Sequence, residues 1–100
     1  MAIIGPGAID PIIHGRLRLG IMVYLADADV AAFTELKAAL AVTQGNLSAG
    51  LIQLESAGYV RIEKGFVGRK PRTQARVTPA GRVALAAYLK EMAALAERLG

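Results

Sequence analysis

The 100-residue chain contains no cysteine, no tryptophan and a single histidine, and its aromatics are three tyrosines and two phenylalanines. Without cysteine there are neither disulfides nor thiolate metal sites, which accords with a reducing cytoplasm. One histidine, His14, cannot build a metal site, and no nucleophile, base and orienting group can be assembled around it. No enzyme activity, metal or cofactor is therefore expected, and His14 reads as a helix-surface or packing residue. No stretch approaches the ~18 uninterrupted apolar residues of a membrane span. The opening MAIIGPGAID lacks the basic start and long apolar segment of a secretory leader, so it reads as part of the mature chain. These absences describe a cytoplasmic protein without membrane contact. What is present is a 54% hydrophobic composition, ample for the core of one domain spanning residues 1–100.

The net charge of +4 is modest, but it is concentrated. Residues 61–76 hold six basic side chains and one acid, while the rest of the chain is close to balance. A localised cationic stretch is the footprint of a polyanionic partner, whereas a diffuse excess of the same size would speak only of solubility.

The stretch Thr43 to Gly58, TQGNLSAGLIQLESAG, is the centre of the reading. Leu47, Leu51 and Leu54 fall at i, i+4 and i+7 and line one face of a helix. Thr43 is suited to cap its start and Gly58 to stop it in a left-handed conformation. On the other faces, Gln44, Asn46 and Ser48 offer donors and acceptors near the helix N-terminus, and Gly45 and Ala49 leave room for close approach. Gln53 and Ile52 also lie off the core stripe.

Ahead of it, Met1–Ala8 with its Gly5-Pro6-Gly7 turn reads as a loose arm or a segment covering a neighbour. A first helix is expected from the Asp10 cap, with Pro11 in its first turn, to about Ala26. It carries two apolar stripes, Ile13, Leu17, Ile21 and Tyr24 on one side and Ile12, Leu19 and Val23 on the other, and the second stripe implies another buried surface. Val30–Ala32 reads as an edge strand. Thr34 then caps a second short helix, 35–41, and the three-residue step into the helix after Thr43 suggests a helix-turn-helix.

After Gly58, residues 59–63 and 73–77 alternate as two antiparallel strands. Between them Lys64 to Arg72, KGFVGRKPR, forms a wing in which Lys64, Arg69, Lys70 and Arg72 meet no acid, an arrangement suited to phosphates or a minor groove. Arg76 follows on the second strand as a further candidate contact. Thr78 caps a last helix of about residues 79–99, in which Leu85, Leu89, Met92, Ala96 and Leu99 repeat at spacings of 4, 3, 4 and 3. Tyr88, Met92, Leu95 and Leu99 form a second stripe. This helix is as long as the domain is wide, so the seam points to a homodimer.

The run GNLSAGLIQLESAGYVRIEKGFVGRKPRTQARVTPAGRVALAAYL, with FTELKAAL before it, closely resembles the small winged-helix transcriptional regulators related to the MarR and ArsR groups. The resemblance spans roughly Asp10 to Leu89. It implies a dimeric DNA-binding fold with the helix after Thr43 in the major groove and the wing beside it. Ala49-Gly50 departs from the family, whose members usually carry a basic or other large polar residue around these positions.

The expected fold is thus mainly α with a small β-hairpin, a winged helix-turn-helix in the order α1-β1-α2-α3-β2-wing-β3-α4. The expected function is sequence-specific binding of double-stranded DNA by a homodimer. The alternative is a winged-helix module that binds a protein or only dimerises, and it leaves the grouping of Arg69, Lys70 and Arg72 without a purpose. Operator, regulated genes and any small-molecule effector are not encoded legibly in the residues.

Overall fold

The computed structural model describes residues 9–99, so the expected Met1–Ala8 arm lies outside the described residues. The elements run α1 (Arg16–Ala28), β1 (Val30–Ala32), α2 (Phe33–Leu40), α3 (Gln44–Ser56), β2 (Val60–Val67), β3 (Lys70–Val77) and α4 (Pro79–Leu99). The three strands form an antiparallel sheet in the order β1-β3-β2. This is the expected winged helix-turn-helix.

The first helix begins later than the Asp10-Pro11 signal predicts. Asp10 does cap a turn, its Oδ1 accepting from the Ile12 and Ile13 amides at 2.8 and 3.4 Å, and the His14 amide donates to the Asp10 carbonyl. Gly15 then adopts an extended conformation, φ −154° and ψ 136°, and breaks the path before α1 starts at Arg16. Arg18 folds back on this turn, Nε donating to the Ile12 carbonyl at 2.6 Å. Ile12 is consequently not on α1, and the second stripe loses its first member. Met22 and Leu25, which neither stripe contained, are fully buried beside Ile21.

The second helix starts one residue before Thr34. Strand β1 runs straight into it through Ala32, and no side chain caps it. In α3 both boundary signals hold: Thr43 Oγ1 accepts from the Asn46 amide at 3.1 Å, and Gly58 sits at φ 83°. Leu47, Leu51 and Leu54 enter the core with Ile13, Ile21, Leu36 and Val60. Gly50 is buried too, against α1, where an added Cβ would lie 3.3 Å from Ile21 Cδ1. Position 50 therefore serves helix packing rather than reading, and the family departure at that site costs the outer face nothing.

The hairpin is longer than predicted and its loop shorter. Pairing continues from Val60↔Val77 out to Val67↔Lys70, leaving only Gly68-Arg69 as the turn. Gly68 is at φ 63°, the first central position of a two-residue hairpin loop, where type II′ turns need glycine. Pro71 is tolerated because β1 covers β3 only at Gln74–Arg76, so β3 is an edge strand at Pro71. At the base of the hairpin Thr78 Oγ1 accepts from the Gly81 amide at 2.9 Å and donates to the Gly58 carbonyl at 2.6 Å, joining α4 to the end of α3.

Candidate nucleic-acid interface

The cations of residues 61–76 fall into two groups. Arg61 and Arg76 lie at the inner end of the hairpin with Glu63, each Nε 3.3 Å from its Oε2, and Arg76 reaches Asp29 at 3.0 Å. Arg82 joins the same network through Asp29 at 2.9 Å. The Gln74 amide donates to Glu63 at 3.1 Å. Hydrogen bonds from Gln74 and Arg76, aided by the nearby positive charge, hold the Glu63 carboxyl below its ordinary pKa of 4.5. Arg76 is therefore tied into the fold by two ion pairs, unlike the cations of the wing.

The outer group is different. Lys64, Arg69, Lys70 and Arg72 are exposed, and among the described residues no carboxylate lies within ion-pair distance of any of them. Longer strands carry these four charges away from the body of the domain on a ribbon two strands wide. Balanced charge at the root and uncompensated charge at the tip is a surface prepared for an external anion.

This tip faces the outer side of α3. An open groove of about 640 Å³ runs between them, bounded by Gln44, Ser48 and Ile52 on α3 and by Lys64, Lys70 and Arg72 on the wing. Its inner end is closed by the start of α2, where Phe33 and Thr34 contribute. Gln44, Ser48 and Ile52 follow at intervals of four and so share one side of α3. Asn46 and Gln53, both exposed, occupy the opposite flank, with Ala49 and Gly45 on the crest between. Nothing lies within 4 Å of the position a Cβ would take at Gly45.

The structure thus brings together Gln44 and Ser48 with Lys64, Lys70 and Arg72, sets Asn46 and Gln53 on the far flank and Arg69 on the wing's turn, and leaves Thr43 outside the groove as the cap of α3. Thr34 and Ile52 were not among the candidate contacts. Ile52 could have been found, because it is a large apolar residue off the core stripe of its helix. Thr34 could not, since its place in the groove follows from how β1 leads into α2.

The profile of the winged helix DNA-binding domain matches residues 17–96. The chain belongs to that family. A relative in sequence is an uncharacterised protein of Methanocaldococcus jannaschii, 31% identical over 88 residues, covering 88% of this chain and 96% of the relative. Among solved structures, the transcriptional regulator homologue from Pyrococcus horikoshii superimposes with a TM-score of 0.84 at 32% identity, covering 88% of this chain and 87% of that one. A protein described as a MarR-family transcriptional regulator, from Enterococcus faecalis, superimposes with a TM-score of 0.71 at 29% identity over 88% and 78% of the two chains. Family and fold point to a DNA-binding transcriptional regulator, a type of protein that is not typically an enzyme. Among the described residues no helix of this winged-helix protein is long and apolar enough to cross a membrane.

Proposed function

We propose that the protein is a cytoplasmic, sequence-specific regulator that binds double-stranded DNA as a homodimer. The observation that carries the reading is the shared groove, with hydrogen-bonding side chains of α3 along one wall and unpaired wing cations along the other. In this reading the N-terminal half of α3 enters the major groove, where Gln44, Ser48 and, from the other flank, Asn46 and Gln53 meet base edges. Lys64, Lys70 and Arg72 meet the backbone, and Arg69 at the turn meets the backbone or the adjacent minor groove.

The case for the homodimer comes from α4. Leu85 and Tyr88 are 5% exposed in the single protomer, so this inner part of the seam is already covered by the protomer's own core. His14 Nδ1 lies 2.9 Å from the Tyr88 hydroxyl and helps to fix that part of the helix. The same helical face continues outward through Met92, which still packs against that core, to Leu95, Ala96 and Leu99. The radius of gyration is 15.0 Å, against about 13 Å for a compact chain of this length, and the long dimension is 59 Å. Leu89 at 47% and Leu99 at 83% exposure remain free for a second copy, as does Val23 on α1. Ile12 and Leu19 already lean on their own core.

The direct test is selection of duplexes from a randomised pool, followed by binding at several salt concentrations. With about three phosphates met per subunit, a dimer neutralises about six, and log K against log salt is expected to slope by about −5. A flat plot, or a selected pool no richer in any sequence than the starting one, refutes the proposal.

A further inference from the structure

Phe66 is 73% exposed within the most cationic stretch of the chain. It contributes nothing to the core, and with its neighbour Val67, 55% exposed, it leaves apolar surface at the hairpin tip open to water. Directly across the ribbon stands Pro71, paired with Phe66 in the register, so the two occupy the same face. Beyond this pair there is only Val67, the Gly68-Arg69 turn and Lys70. Lys64, two residues back along β2, shares the face, and Lys70 and Arg72 lie on the opposite one. The result is a thin apolar blade with unpaired cations on both sides. The cations account for attraction to phosphates, but they leave the blade unexplained.

We propose that the wing tip enters the minor groove and inserts Phe66, backed by Pro71, between neighbouring base pairs, partly unstacking one step and bending the duplex. The proposal rests on the reading of the protein as a DNA binder. Phenylalanine and proline are residue types that act as such wedges, and basic side chains beside them hold the phosphates of the distorted step. Insertion removes the ring from water and stacks it on a base. Pyrimidine–purine steps unstack at the least cost, so the wedge adds sequence preference at a position that α3 does not read.

The test uses a duplex of about 30 base pairs with donor and acceptor dyes on its ends and 2-aminopurine in a TA step, beside a matched duplex lacking that step. Wild-type protein is expected to raise the 2-aminopurine fluorescence and the energy transfer together, and to prefer the TA duplex. Phe66→Ala is expected to lose both signals and about tenfold in affinity for the TA duplex while keeping the salt slope. Phe66→Leu, which keeps an apolar wedge, restores the signals in part. Circular dichroism and thermal unfolding of each variant establish that it is folded. Binding by the wild type without either signal, or a Phe66→Ala variant that retains both, overturns the wedge and leaves DNA binding standing. Absence of any binding overturns both.

Discussion

Arg72 and Arg76 are four residues apart on one strand, yet their surroundings assign them different work. Arg76 is tied to Glu63 and Asp29, whereas Arg72 stands over the groove with no carboxylate among the described residues within ion-pair distance. Arg72→Ala is expected to weaken binding to all duplexes about equally and to make the salt slope shallower by about 1 per protomer. Arg76→Ala is expected to leave that slope unchanged and to lower fold stability by about 1 kcal/mol or less, since its pairs are partly exposed. Titrations against salt and urea unfolding separate the two, and a shallower slope for Arg76→Ala would mean that its ion pairs open on binding. Asn46→Ala tests reading rather than positioning. It is expected to cost ~1–3 kcal/mol on the selected site and little on random duplex, if its amide contacts a base edge. Equal losses on both would assign Asn46 to phosphate or solvent.

At the scale of elements, the hairpin joins two roles, a root that is part of the fold and a tip that is not. Glu63 ties the root together, and its folded pKa lies below the ordinary 4.5 because Gln74 and Arg76 hydrogen-bond its charged form. A group lowered in the folded state contributes stability that is fully present above its unfolded pKa and is lost as pH falls through the folded value. Stability is therefore expected to drop on acidification below about pH 4.5, and Glu63→Gln is expected to flatten that part of the curve, as followed by urea unfolding across pH. An unchanged curve in the variant would remove Glu63 from the account. The elements themselves were legible where a local rule acts alone. Thr43 and Gly58 bounded α3, and Thr78 capped α4, because each works through a backbone group a few residues away. The misreadings came where a distant or intervening residue decides. The extended Gly15 cut the helix that Asp10 and Pro11 announced, and strand pairing carried the hairpin beyond the alternating residues to Val67 and Lys70. At the candidate site the charge of the wing could be read directly, but the division between tied and free arginines could not. That division depends on Asp29, which lies 47 residues before Arg76 in the chain.

For the whole molecule, the decisive question is what covers the outer half of α4. One recognition helix reads a short stretch of duplex, and pairing two of them one helical turn apart, about 34 Å, would make the preferred site an inverted repeat. Leu85 and Tyr88 are already buried in the protomer, so charge placed there would test folding and not association. Leu89, at 47% exposure, is a cleaner position than its place in the seam suggests, because a carboxylate there reaches water in the single chain. Leu89→Glu is expected to leave the circular dichroism spectrum unchanged, to shift sedimentation from dimer to monomer, and to weaken binding to an inverted repeat far more than to a single half-site. Leu95→Glu, one turn or more further out on the same apolar surface, is expected to act in the same direction. The paired loss follows from linkage, since two tethered helices bind the second half-site at a high effective concentration and separate ones do not. If both variants stay folded, dimeric and unchanged in affinity, the pairing surface lies elsewhere, with Val23 on α1 as the next position to charge.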